Sequence, residues 1–194
     1  EEQTEFDMPS AMLAWNGASP HLEHFVSGFL ALGDSSTWTL EDVEPLIAYV
    51  ESLSAPKHLL DLDEDKMASG RELFNQECLD CHKGYQGSGT EIFSFDEIGT
   101  DDQMMYILDP DLDGVSGLGV DNDPTHGIKA PRLTGVWAKT RLLHNGSVDS
   151  LEDLFCMYGE RTDDQVIFGN VGHTYGCDWT DSEKEDIIEF LKSI

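Results

Sequence analysis

The sequence predicts a mostly α-helical protein with long loops, on three observations. Apolar residues recur at helical spacing in several stretches, capping signatures precede those stretches, and nothing alternates as a half-buried strand would. At 194 residues the chain has room for one good-sized domain or two very small ones. Its hydrophobic content is 39%, gathered in periodic clusters, which points to a folded core.

Residues 1–38 read as irregular, because Pro9, Gly17, Pro20, Gly28 and Gly33 interrupt any long period. Thr39 and Asp42 then form a capping-box signature ahead of Val43, Leu46, Ile47, Val50 and Leu53, and Pro56 closes that helix. The acidic run Asp61–Asp65 serves as a linker and as the start of a second helix over 63–77, where it complements the helix dipole. That helix carries Met67, Gly70 and Phe74 on one side and runs into Cys78. Between Gly84 and Gly127 only a short helical candidate at Asp101–Leu108 stands out, and residues 128–147 read as an ordered, mostly non-helical connection. Ser150 and Asp153 repeat the cap spacing before Leu151, Leu154, Phe155 and Tyr158. Thr180 with Glu183 opens a last helix that buries Ile187, Ile188, Leu191 and Ile194. No internal repeat is present.

Eleven basic residues stand against 39 acidic ones, a formal net charge of −28. Nucleic acid and anionic membranes would repel such a surface, and no apolar run approaches the roughly 20 residues of a membrane helix. The charge fits a saline habitat, a basic partner or bound cations, and fits plain solubility equally well. The start, Glu1-Glu2-Gln3-Thr4-Glu5, lacks the basic and apolar regions of a signal peptide, so the chain reads as a soluble, already processed protein.

Cys78-Leu79-Asp80-Cys81-His82 is a C-x-x-C-H motif. Two thiols at this spacing add across the vinyl groups of a haem, and the adjacent histidine then sits beneath the iron as its first axial ligand. A redox C-x-x-C would need βαβ patterning, and half a zinc site would need further ligands close in sequence; neither is found. One covalent haem c is therefore expected on Cys78, Cys81 and His82. Such attachment takes place outside the cytoplasm, where disulfides persist, so the two remaining cysteines, Cys156 and Cys177, are expected to pair. The bridge would close a loop of about 20 residues, worth around 3 kcal/mol in the chain-entropy view. Two buried free thiols are the alternative.

A family resemblance follows from longer segments. Gly70-Arg71-Glu72-Leu73-Phe74 resembles the helix leading into the haem motif of class I-like cytochrome c domains. Lys129–Ala138, Leu143–Val148, Gly99-Thr100-Asp101 and Gly172–Asp178 with the helix after it resemble the bacterial di-haem cytochrome c peroxidase superfamily, including its rubber-oxygenase-like branch. The likeness covers the second, C-terminal haem domain over residues 70–194. It implies a mostly α, cytochrome c-like haem domain at 61–194. Ahead of it, in residues 1–60, Asp7-Met8-Pro9-Ser10, Trp15-Asn16-Gly17 and the helix ending at Leu53 resemble the closing half of a first haem domain without its C-x-x-C-H.

The second axial position decides the chemistry, since an open one binds peroxide or oxygen and a filled one favours electron transfer. Candidates are His173, His144, His126, Met157, Tyr158 and the Met104-Met105 pair. The resemblance favours His173, whose Gly-His-x-Tyr-Gly motif ligates the second haem in the rubber-oxygenase-like branch. It offers Tyr158 as the rival, with Met157 one residue off that position. His144 reads as a hydrogen-bonding pocket residue or as part of a tight turn at Asn145-Gly146. His21, His24, His58 and His126 read as surface or structural. Lys139 and Arg141 depart from the family pattern and would face haem propionates or make surface ion pairs.

Asp109, Asp111, Asp113 and Gly114 open like a calcium loop, but Val120 stands where the bidentate Glu belongs and Asp121 comes one residue late. A solvated acidic loop is the alternative, and the resemblance to calcium-carrying peroxidases is what keeps calcium in view. The expected function is a periplasmic or extracellular mono-haem cytochrome, six-coordinate through His82 and His173, carrying electrons to a basic partner or to further haem subunits. The alternative is the C-terminal haem-relay part of a di-haem peroxidase or oxygenase.

Overall fold

The computed structural model describes residues 22–32, 39–54, 57–59, 61–103, 127–164 and 169–194. The calcium loop at Asp109, Asp111 and Asp113 lies outside them, as do Pro56, His21, His126, Met104 and Met105. So do residues 104–108 of the helical candidate and the two motifs before residue 18.

The described residues form a helix-rich structure with one small sheet. α1 (Leu22–Leu32) packs against α2 (Leu40–Ser52). A helix at α1 corrects the expectation of an irregular 1–38: Gly28 sits inside it, and one glycine costs only about 1 kcal/mol relative to alanine. α2 begins at the expected capping box, where Asp42 N donates to Thr39 Oγ1 and Thr39 N donates to Asp42 Oδ2 at 2.8 Å. Val43 and Ile47 are its buried residues.

α3 (Glu64–Glu77) starts where Asp63 accepts from the amides of Asp65 and Lys66, and it crosses the C-terminal helix α6 (Asp181–Lys192). Gly70 permits the close crossing, since a Cβ there would lie 2.1 Å from the Asp186 carbonyl oxygen and 2.8 Å from Phe190 Cβ. Around the crossing Phe74 meets Phe190 at 5.3 Å between ring centroids, and the Arg71 guanidinium lies 5.1 Å above the Phe190 ring. Lys66 and Glu185 pair at 2.6 Å on the rim. Leu133, Val136, Leu142, Val148, Leu151, Phe155, Ile187, Ile188 and Leu191 complete one buried cluster, drawn from α3, α6 and the 133–155 stretch. α6 opens with the second expected capping box, Thr180 with Glu183.

The expectation of no strand is also corrected. β1 (Ile92–Ser94) pairs antiparallel with β2 (Gly127–Lys129), Phe93 opposite Ile128. Three residues a strand are too few for alternation to show in sequence. α4 (Phe95–Ile98) follows β1 directly, and α5 (Leu151–Leu154) is a single turn behind its Ser150 cap. His58 lies edge-on against Trp137 at 4.9 Å between ring centroids.

Candidate haem-binding site

α3 delivers the C-x-x-C-H motif at its C-terminus. Cys78 N donates to Phe74 O and His82 N donates to Cys78 O, both at 2.9 Å, so the winding continues and Cys78, Cys81 and His82 lie along one side. His82 is buried beside the Phe74 ring, 6.2 Å between centroids. Its Nδ1 lies 3.0 Å from the Gly87 carbonyl, which fixes Nδ1 as the protonated nitrogen and leaves the Nε2 lone pair available. Burial holds the imidazole pKa below its usual value, favouring the neutral ring that ligates metals.

The thiols behave oppositely to a redox pair. Burial, with Glu77 and Cys81 adding, pushes Cys78 up to about 12, and burial with nearby Glu97, Glu91 and Asp80 raises Cys81. A redox C-x-x-C depends on a depressed thiol pKa. Among the described residues no three His, Cys, Asp or Glu side chains converge as a metal cage, so a zinc site finds no further ligands there.

Facing His82 is His173, with ring centroids 6.3 Å apart and planes at 74°. His173 sits in the left-handed region at φ 46°, between Gly172 at φ 93° and Thr174. Its N–H donates to Ile98 O at 2.9 Å. Gly172 is required here twice over, because its φ disfavours a side chain and a Cβ would meet Gly99 O and Thr100 at 2.7 Å. The short α4 and the Gly99-Thr100 turn are thus the bed on which this loop rests. The His173 residue is partly buried, with Tyr175 edge-on at 5.3 Å, and desolvation followed by His82 pulls its pKa down to about 4. Its Nδ1 is buried with no hydrogen-bond partner among the described residues. A cleft of about 410 Å³ borders the loop, between Glu77 and residues 174–179.

The loop is tied down from two sides. Cys156 and Cys177 form a disulfide, S–S 2.06 Å, as expected. Arg161, which sequence reasoning missed, lies buried at 7% exposure and donates to main-chain carbonyls on both sides of the loop. Nε donates to Asn170 O at 3.0 Å, Nη1 to Asp153 O at 3.1 Å and to Leu154 O, and Nη2 to Gly172 O at 2.5 Å and His173 O at 2.9 Å. Nothing in its sequence neighbourhood marks it; only its being a rare base in an acidic chain could have drawn notice.

The other candidates go elsewhere. Tyr158 is 78% exposed, and Met157 packs at the margin of the core cluster. His144 is buried against Asp101, Nε2 to Oδ2 3.3 Å, and edge-on to Phe95. Asn145 Nδ2 donates to the same carboxylate at 2.7 Å and to Gly169 O at 2.9 Å, while Gly146 turns at φ 71°. The tight turn at Asn145-Gly146 is found, and the hydrogen bonds of the segment run to Asp101 and Gly169 O. Lys139 and Arg141 separate: Arg141 makes an exposed pair with Asp149 at 2.6 Å, whereas Lys139, also exposed, has its Nζ 3.3 Å from Arg132 O. Lys129 is buried and donates to Ser88 Oγ at 2.9 Å.

These residues fit a haem. Metal–imidazole bonds of about 2 Å, with about 1.1 Å from each nitrogen to its ring centre, put two rings that share one ion a little over 6 Å apart, close to the spacing seen. An unpartnered buried imidazole nitrogen is costly unless something accepts its lone pair or proton, and the two motif thiols, Cys78 and Cys81, are free and partly buried.

Fold and site define a cytochrome c-like domain, which implies haem c and electron transfer. More particularly, residues 127–162 match a family model described as RoxA-like, cytochrome c-like, in agreement with the resemblance to the rubber-oxygenase-like branch and its C-terminal haem domain. The chain is also 26% identical to the uncharacterized protein y4iM of Sinorhizobium fredii (strain NBRC 101917 / NGR234), a match covering 63% of this chain. It spans 35% of that relative's length.

Proposed function

We propose that this chain is an exported mono-haem c-type cytochrome that carries electrons through a six-coordinate, bis-histidine haem. The single observation behind this reading is the opposition of His82 and His173 across 6.3 Å in a buried space. When bound, haem supplies a reversible one-electron iron couple, and two histidines set it lower in potential than a His/Met pair. Cys78 and Cys81 would anchor the group, Gly87 O orients His82, and the Gly172–His173 loop would bring the second ligand, so that peroxide and oxygen would find no open position. Phe74 and its neighbours exclude water. No helix among the described residues is long and apolar enough to cross a membrane, and the disulfide suits an oxidising compartment, which supports export. The net charge of −28 suits a basic redox partner, or further haem subunits joined through cations.

Low-temperature electron paramagnetic resonance of the oxidised protein tests the reading. A low-spin signal of two histidines is expected, turning high-spin in His173→Ala. A high-spin signal in the unmutated protein, or a low-spin one that survives the substitution, would sink it.

A second reading rests on the share of the relative that the chain spans. Here the chain is the C-terminal relay part of a di-haem peroxidase or oxygenase, preceded by a further haem domain. Intact mass of native material separates the two: one haem on a chain of this length supports the carrier, and a longer chain with two haems supports the relay.

A further inference from the structure

Arginine has five N–H donors in a rigid fork. In Arg161 all five are used, one bond each, and all five acceptors are main-chain carbonyls: Nε to Asn170, Nη1 to Asp153 and Leu154, Nη2 to Gly172 and His173. Burying a guanidinium is costly unless every donor is met, and an apolar residue of similar size would fill the space at less cost. The arrangement makes sense if what matters is where those carbonyls are held. Two of them flank the Gly172–His173 peptide, which lies in left-handed conformations at φ 93° and φ 46° that an unrestrained histidine would leave. Two others belong to the end of α5, whose Leu151 is fixed in the core. The fork therefore fastens the strained loop to a rigid turn.

We propose that Arg161 is the positioning residue of the distal ligand: by fastening the Gly172 and His173 carbonyls to the end of α5, it holds the His173 imidazole over His82. It acts through His173 and touches no reacting atom. The inference rests on the bis-histidine reading above. The disulfide enters the same loop four residues later, at Cys177, but restrains only that end. Lysine keeps the charge yet offers three donors from one point, so it cannot span Asp153 and His173 together.

The test uses the whole haem-loaded protein, with His173→Ala as reference. In Arg161→Lys and Arg161→Gln the ferric spectrum at neutral pH should gain a high-spin component. Cyanide should bind about tenfold faster or more, because losing even one charge-assisted hydrogen bond favours the open loop by that factor. A role in charge alone would be rescued by lysine, and a role in stability alone would lower the urea midpoint while leaving spin state and cyanide rate as in the parent protein. Either result overturns the proposal. Arg161→Gln, which removes the buried charge along with the fork, serves where the lysine variant fails to accumulate. If His173→Ala leaves the parent spectrum unchanged, the bis-histidine reading has failed first and this inference falls with it. If His173→Ala turns the protein high-spin and both Arg161 variants stay low-spin with parental cyanide rates, only this inference falls.

Discussion

Replacing Gly70 by alanine sets two effects of opposite sign against each other. Alanine is favoured over glycine in a helix interior by about 1 kcal/mol, so propensity alone would stabilise α3. The new methyl, however, would stand 2.1 Å from Asp186 O, 2.6 Å from Asp186 C and 2.8 Å from Phe190 Cβ. Two of these atoms are main chain and cannot rotate away, so α3 and α6 must move apart by more than about 1 Å to reach ordinary contact. Separation along this seam loosens Phe74 against Phe190 and the buried Ile187, a change of the kind that costs about 1–3 kcal/mol or more. We expect packing to win, with a net loss of about 2 kcal/mol. In urea unfolding followed by circular dichroism, a slope of about 2 kcal/mol per molar turns this into a midpoint about 1 M lower. Ser69→Ala, on the exposed side of the same helix, isolates propensity and should leave the midpoint unchanged or slightly raised. A Gly70→Ala midpoint that rises with it would refute the close crossing.

Three further outcomes are expected. Replacing Cys156 and Cys177 together by alanine removes a cross-link between positions 21 apart and should cost about 3 kcal/mol in urea unfolding, with a reductant lowering the parent protein to match. Asn145→Ala takes away the bonds to Asp101 and Gly169 O, leaving the Gly169 carbonyl without this donor; a loss of about 1–3 kcal/mol and faster amide exchange around residues 169–173 should follow. Hydrogen bonds from Thr39 and Thr180 hold the cap carboxyls of Asp42 and Glu183 below their usual range, so their contribution is complete above the unfolded carboxyl pKa and fades as pH falls through the lowered folded values. Melting temperature should therefore drop on acidification below about pH 4.5, and Thr180→Ala should flatten that fall.

What the sequence made legible was local. The capping boxes at Thr39 and Thr180, the helix from Glu64 to Glu77 and the pairing of Cys156 with Cys177 follow from short-range spacing or from cysteine arithmetic, and all are found. α1 was missed because a glycine in the pattern was given the weight of a helix breaker, when the cost of one glycine is small against packing on α2. The β1–β2 pair was missed because each strand is three residues long and its partner lies beyond a wide gap in sequence. At the site, the C-x-x-C-H motif was plain, while Arg161 was invisible: its five acceptors are carbonyls, and main-chain groups leave no mark in a sequence. The Asp101–His144 contact joins segments over 40 positions apart, a distance at which spacing rules say nothing.

The two facing imidazoles come from very different distances along the chain. Cys78, Cys81 and His82 fall within five consecutive positions, whereas His173 arrives about 90 residues later. In the proposed bis-histidine cytochrome, covalent loading would draw on that short stretch alone, ahead of any contribution from His173. Engaging His173 would be a different event, since it would join the ends of a long loop, with an entropic advantage of about 4–5 kcal/mol, as for a cross-link of that span. The prosthetic group would then act as a late clasp, and the colour change from five- to six-coordinate iron would report, in real time, the moment at which maturation of the polypeptide is complete.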